Sequence, residues 1–599
     1  MAESVRSRIL SAQDMEFLLF EWLHVEELTE RKRFSEHSRE VFDAVLELAQ
    51  QLAENDFAPH NRASDVTEPY FDGERVHLIP EIGIALEAFS ASGLMGGAMD
   101  ASVGGGQLPE VMHRACFTWL QAANTSTAGY PMLTMANANL LQEYGTAEQV
   151  DRYVRPMVEG RFFGTMCLSE AQAGSSLADV ATRAVRTEGD AYRLFGSKMW
   201  ISGGDHEMSE NIVHLVLARV EGAPAGVKGL SLFIVPRFLV DDDGSLAERN
   251  DVVLAGLNHK MGFRGTVNTI LNFGEGKHRP LGDAGAVGYL VGAENRGLEY
   301  MFHMMNEARV VVGAGAVALG YTGYLHALDY ARNRPQGRLL GRKDPASPQT
   351  MIINHADVRR MLLASKSYVE GGLGLVLYSA RLLDELATAE DPAEEERLAL
   401  LLDVLTPIVK AWPSQWCLKA NDLAIQVHGG YGYSREYPVE QFYRDNRLNA
   451  IHEGTDGIQA IDLLGRKVVM RDGAGLRAVV DVITATIDSV PDSLSPLAAQ
   501  LRAATDRIVS TTARVWAEGD RDRALANATL YADAFGHVVV AWIWLSQMVV
   551  AANREGSFYE GKRAAGRYFF AYELPKIGPM LDLLDRGDSL LLDIRDDWL

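Results

Sequence analysis

The residue type and spacing best suited to chemistry centre on Glu453, in the stretch IHEGTDGIQ at residues 451–459. A carboxylate followed directly by glycine and threonine lets the backbone turn closely about a ligand while the acid points into a site. Such an acid works as a proton-abstracting base when desolvation lifts its pKa from about 4.3 toward neutrality. One carboxylate among 80 decides nothing alone, because most are solvated surface. A second candidate joins MCLSEAQAGSSLADVATRA (residues 166–184) to KMWISGG (residues 198–204). Glycine and serine groups of AGSS can cradle a phosphate, and Trp200 offers a flat apolar face to a planar ring. An ordinary turn and an ordinary core aromatic produce the same letters. A third stretch, EARVVVGAGAVALG at residues 307–320, places Gly313, Gly315 and Ala318 as in a dinucleotide fingerprint. Its small residues run on into YTGYLHALDYARN without the second parallel strand of a βαβ unit, so they read as one face of a closely packed helix.

The elements that must hold these groups change character along the chain. Residues 1–165 carry helical periodicity, with Val41, Val45, Leu48 and Leu52 on one expected face. Thr146 and Gln149 make a capping box that starts a short helix ahead of Pro156. Residues 166–288 switch to alternation and β-branched runs punctuated by glycine, which predicts a compact antiparallel barrel or sandwich. Long helical stretches return over residues 289–470, which predicts an antiparallel bundle carrying Glu453. Beyond RDGAG, residues 476–599 form an additional helical domain. Its most apolar run, VVVAWIWLSQMVVAA, carries Ser546 and Gln547 and reads as a buried or partner-packed helix rather than a transmembrane segment.

Composition narrows the functional class. A formal charge of −23 over 599 residues argues against holding a nucleic-acid backbone. Cys116, Cys167 and Cys417 lie far apart and make neither a disulfide framework nor a metal site, so no metal is expected and the predicted setting is reducing and cytoplasmic. The opening residues break their apolar patch at Glu21 and do not read as a signal peptide.

Taken in order, MCLSEAQAGSS, KMWISGG, HKMGFRG, NEARVVVGAGA, YARNR, QVHGGYGYSREYPVEQFYRD and IHEGT resemble the acyl-CoA dehydrogenase family, in its bacterial branch with an extra C-terminal domain. That branch includes enzymes for 3-methylmercaptopropionyl-CoA and for fatty acyl-CoA. The resemblance implies a mostly α fold with an inserted β domain: an N-terminal helical domain, a middle antiparallel β-barrel, a four-helix bundle and the added helical domain. It implies FAD, and an acyl-CoA dehydrogenated to trans-2-enoyl-CoA in fatty acid β-oxidation. Electrons would pass to an electron-transferring flavoprotein, and the enzyme would be a homodimer or homotetramer.

Residue by residue, Met166, Leu168, Ser169, Trp200, Ile201 and Ser202 match positions lining the flavin ring. Gly174 and Ser175 match the stretch near the phosphates, where Ser175 lies between FAD and the CoA arm. Arg334 matches a pyrophosphate-pairing arginine, Gln426, Gly429 and Gly430 match the loop under the adenosine half, and Thr455 matches another FAD contact. Asn306, Arg309, His452 and Gly454 match substrate contacts, and Glu453 matches the base that takes the α-proton while flavin N5 takes the β-hydrogen as hydride. The alternative position for the base is Ala308 here, and Glu307 is one residue off on a helix. The resemblance leaves open two other readings, an oxidase that returns electrons to O₂ and a flavin-bearing binding protein with little dehydrogenase activity.

Overall fold

The computed structural model describes residues 7–339, 341 and 346–599, with the side chains of residues 302–307 outside that description. The chain forms two compact units, one of Glu40–Pro109 and Trp119–Ala308, the other of Met1–Arg39, Glu110–Thr118 and Arg309–Leu599.

In the first unit, helix α1 (Arg39–Leu52) buries Phe42, Ala49 and Leu52, with Val45 and Leu48 half-buried. Val41, expected on the inner face, is exposed; the bulkier Phe42 turns the apolar stripe by one residue. Helix α2 (Pro80–Ala91) follows, and then α3 (Glu110–Ala123), which belongs to this unit from Trp119 onward, and α4 (Thr125–Tyr144). Asn124 caps α4 by accepting from the Thr127 amide at 3.1 Å. The Thr146–Gln149 capping box forms as expected, with reciprocal bonds of 3.2 and 3.1 Å.

Among the described residues, eight strands make the main sheet of the β-rich part: β1 (Phe162–Cys167), β2 (Arg183–Arg186), β3 (Ala191–Ser202), β4 (Asn211–Val220), β5 (Leu230–Pro236), β6 (Val252–Leu257), β7 (Asn268–Phe273) and β8 (Ala286–Leu290). Strand β3 pairs with β8, β8 with β5, β5 with β4, β4 with β2, and β2 again with β3, so five strands close a ring and leave no edge among themselves. The other half of β3 carries β7 and then β6. The antiparallel expectation holds for most of these ladders, but β1 and β2 each run parallel to β4. Both reach β4 through long connections rather than hairpins, which is the condition for parallel pairing. Asn137 of α4 donates to the carbonyls of Thr165 (3.2 Å) and Val213 (2.8 Å), pinning the helix across the β1–β4 pair.

The second unit is helical. Helix α5 (Gly297–Asn333), which belongs to this unit from Arg309 onward, lies against α6 (Ala356–Ala387) and α7 (Pro392–His428). The apparent dinucleotide fingerprint is the seam of this packing. A Cβ on Gly313 would lie 2.0 Å from the Val409 carbonyl oxygen, and one on Gly320 would lie 2.7 Å from Cys417 Cβ. Helix α8 (Val439–Asn446) closes on α5 with Phe442 and His326 rings 5.3 Å apart, and α9 (Asp456–Asp462) follows the Glu453 loop.

Left-handed backbone at Arg471, Asp472 and Gly473 marks the RDGAG break before α10 (Met470–Asp488) settles into regular helix. Helices α11 (Ser495–Val515), α12 (Ala528–Ala551), α13 (Ser557–Tyr568) and α14 (Ile577–Asp585) complete the unit. Among the described residues, two stretches, Ala308–Asn333 and Ala528–Ala551, are long and apolar enough to cross a membrane, yet 89% and 83% of their most apolar windows are buried inside the protein, as core helices are.

Candidate active site

Strands β1 and β3 position the residues expected along a flavin. Met166 lies in the fully buried run of β1, and the Leu168 carbonyl accepts from Lys198 Nζ at 3.0 Å. The Ser169 carbonyl accepts from the Met199 amide at 3.0 Å. The β3–β7 register jumps from Thr269↔Ile201 to Leu271↔Lys198, which makes a bulge at Met199 and Trp200. Trp200 there adopts φ +68° and is 56% exposed. A left-handed tryptophan costs roughly 1–3 kcal/mol and persists only where its surroundings hold it. Its neighbour Ile201 stays buried, its carbonyl accepting from Thr269 Oγ1, and Ser202 Oγ accepts from Asn268 Nδ2 at 3.0 Å. Gly174 and Ser175 sit exposed in the loop between β1 and β2, with nothing near the position of a Gly174 Cβ.

That loop is shaped by a residue the sequence reading passed over. Glu170 is buried, pairs with the fully buried Lys198 at 2.9 Å, and accepts from the Ala181 and Thr182 amides and the Thr182 hydroxyl. Burial pushes its carboxyl up, but Lys198 and these hydrogen bonds outweigh burial and hold it at about 2. A lone lysine inside the apolar strand sequence KMWIS was the available signal.

In the helical unit, Glu453 sits at φ +52° on the loop between α8 and α9. Gly454, at φ +88°, follows it, and a Cβ there would fall 2.6 Å from Gln459 Nε2. That amide instead donates to the Glu453 carbonyl at 3.0 Å, and Thr455 caps α9 by accepting from the Ile458 amide at 3.3 Å. The Glu453 side chain keeps some surface open, yet burial raises its pKa, partly offset by Arg309 and Lys410. Arg309 is buried and pairs with Asp462 at 3.0 Å; Lys410 is buried and lies 3.4 Å from Asp456. Burial, reinforced by Lys410, holds His452 down at about 3, so it is a neutral imidazole. Lys410, Asp456 and Asp462 were not singled out from sequence, where lone charges on long helices resemble solvated surface. The Asn306 and Glu307 side chains lie outside the described residues.

The remaining expected residues gather elsewhere in the same unit. Arg334 lies over the Tyr431 ring at 5.4 Å and donates to Gln336 at 3.2 Å. Gln426, Gly429 and Gly430 are exposed, and a Cβ on either glycine would meet nothing within 4 Å. No atom of the described residues fills that space, so a cofactor can approach the backbone there, and the exposed Trp200 face can receive a planar ring.

A helical protein with an inserted β-barrel, a half-buried glutamate raised in pKa and an outward tryptophan defines a flavin-dependent dehydrogenase scaffold. The chain belongs to the acyl-CoA dehydrogenase family, whose cofactor is FAD. The family's N-terminal, middle and C-terminal domains match residues 39–161, 165–273 and 295–468, and an acetyl-CoA dehydrogenase C-terminal-like domain matches residues 479–595. The chain is 34% identical to 3-methylmercaptopropionyl-CoA dehydrogenase of Ruegeria pomeroyi over 96% of its length and 97% of that protein's. It is 31% identical to the broad-specificity linear acyl-CoA dehydrogenase FadE5 of Mycobacterium tuberculosis over 98% of both chains. Its fold matches an acyl-CoA dehydrogenase of Bacillus anthracis complexed with FAD, with a TM-score of 0.74 and 18% identity, covering 95% of this chain and 91% of that one. The protein is an enzyme of acyl-CoA dehydrogenation.

Proposed function

We propose that Glu453 removes the α-proton of a saturated acyl-CoA thioester to give the trans-2-enoyl-CoA, and that the electrons leave to an electron-transferring flavoprotein. The carrying observation is the Glu453 loop, where strained backbone, burial and a raised pKa converge on one carboxylate. When bound, the flavin supplies the hydride acceptor. Within the chain, Gln459 fixes the loop through the Glu453 carbonyl, and Arg309 and Lys410 limit how far burial raises the base. The Glu453 amide is a donor available to polarise the thioester carbonyl and acidify the α-hydrogen. The names of the relatives favour linear and thioether acyl groups. We further propose a homodimer or homotetramer, because Gln426, Gly429 and Gly430 lie exposed where a neighbouring subunit's cofactor can reach them.

The test is an anaerobic visible spectrum while short, long and thioether acyl-CoAs are added to the yellow protein. Bleaching of the flavin band is expected with the native enzyme. Glu453→Gln should keep its flavin and bleach about 10²–10⁴ times more slowly. Native-like bleaching by that variant moves the base elsewhere.

A further inference from the structure

A cavity of about 570 Å³ lies within the helical unit, where the added domain meets the bundle, and the dehydrogenation reaction makes no use of it. Helices α6 and α7 supply Arg360, Tyr368, Trp416 and Lys419; α13 and the link from it into α14 supply Tyr568, Tyr572, Glu573 and Lys576. Its volume falls within the roughly 300–1,000 Å³ of small-molecule sites. Flat rings make much of its wall. Tyr568 and Tyr572, one helical turn apart, stack at 4.6 Å and 6°, and Tyr572 is 59% exposed, so the outer ring of the stack is open to a further one. The Tyr368 and Trp416 rings lie 5.3 Å apart. Trp416 Nε1 is buried and has no hydrogen-bond partner among the described residues, an unmet donor that a ligand acceptor can satisfy.

Charge narrows the ligand. The one acid of the described lining, Glu573, is buried and already engaged: Lys576 donates to it, and the Tyr368 and Tyr568 hydroxyls bond it. Arg360 pairs with Asp357 at 2.8 Å and bonds the Tyr568 hydroxyl, and Lys419 pairs with Asp422 at 2.6 Å. Both aspartates are exposed and stand outside the lining. Exposed pairs of this kind hold weakly, so a phosphate can take over either cation. We propose that this cavity binds an adenosine phosphate, either a free adenine nucleotide or the 3′-phosphoadenosine end of coenzyme A. The base lies on the Tyr568–Tyr572 stack, a ring nitrogen accepts from Trp416 Nε1, and phosphate meets Arg360 and Lys419. The proposal does not depend on Glu453 being the base.

The test is equilibrium dialysis of FAD-loaded full-length enzyme against labelled ADP, with adenosine and pyrophosphate as probes of ring and charge alone. Native enzyme should take up ADP below about 1 mM, and each half-probe should bind at least about tenfold more weakly. Arg360→Ser combined with Lys419→Ser, both at exposed positions, should keep its FAD and its Tm and lose about tenfold or more in ADP affinity. Trp416→Phe keeps a ring, removes only the N–H, and should weaken ADP about threefold to tenfold. Native ADP affinity in the double variant, which would put the nucleotide at another site, overturns the proposal even if Trp416→Phe does not fold. Absence of ADP uptake by the native enzyme overturns it as well. Labelled CoA separates the two sources: a second equivalent per chain that the double variant lacks supports coenzyme A, and one equivalent in both proteins, with ADP still lost by the variant, supports the free nucleotide.

Discussion

Replacing Lys198 by methionine should unfasten the loop that carries Ser175. The variant leaves Glu170 buried, facing an apolar side chain in place of an ammonium 2.9 Å away. In the native fold burial works to raise the Glu170 pKa, yet Lys198 and the donors of Thr182 and Ala181 bring it from 4.5 down to about 2. A depression of that size is worth about 3 kcal/mol, in line with the roughly 3–5 kcal/mol cost of breaking a buried pair from one side. Because the folded pKa is depressed, this stability is fully present above pH 4.5 and disappears as pH falls through about 2. The deficit of Lys198→Met should therefore be largest at neutral pH and shrink in acid. Global unfolding of a chain this long is not two-state, so the readout is hydrogen exchange at the Ala181 and Thr182 amides, both bonded to Glu170. A cycle with Glu170→Gln, which keeps a carbonyl acceptor for these amides, should show coupling of about 1.5 kcal/mol or more. Additive effects, or native protection in the single variant, would refute the assigned role.

Lys410→Met removes a cation that lowers the Glu453 pKa, so the acid limb of flavin bleaching should move to higher pH; an unmoved limb would show that Lys410 does not act on the base. Gly313→Val places carbon against the Val409 carbonyl and should cost about 2–3 kcal/mol, read as a lower Tm; a native Tm would mean that the α5–α7 seam is loose.

The parts of the fold that follow from periodicity and turn chemistry were legible in the sequence. The Thr146 cap, the switch to strands, which comes at Phe162 rather than after residue 165, and the packing role of Gly313 all rest on local rules. The inner face of α1 was misplaced because Val41 and Phe42 are adjacent and apolar, so only the competition for core volume decides which turns inward. The parallel pairings to β4 were illegible for another reason, since pairing partners across a barrel are set by closure rather than by any one strand's pattern. Glu453 stood out through its glycine and threonine neighbours. Its electrostatic surroundings did not, because Lys410 lies 43 positions earlier and Asp456 sits on the next helix; burial of a lone charge is a tertiary fact.

The same limit applies to the added C-terminal region, which is an additional helical domain as expected but whose attachment to the helical unit no local pattern showed. Trp544 of α12 donates to the Ser367 carbonyl at 3.0 Å, against a glycine, Gly371, whose Cβ would collide with the indole at 2.6 Å. Lys562 of α13 is fully buried, pairs with Asp14 near the amino terminus, lies 3.2 Å from Glu370 of α6, and donates to Gln547 at 2.9 Å. Tyr321 of α5 donates to the same Asp14 at 3.0 Å. One ammonium thus serves carboxylates from two segments that are some 350 residues apart in the chain. An apolar replacement of the whole cluster could match its stability, but removal of Lys562 alone leaves buried Asp14 without its ion-pair partner, while Glu370 keeps Lys366. Lys562→Met should therefore lower stability by about 3–5 kcal/mol and raise exchange in residues 12–16 as well as in α13. If exchange rises only in α13, the charge cluster does not couple the amino-terminal segment to the added domain.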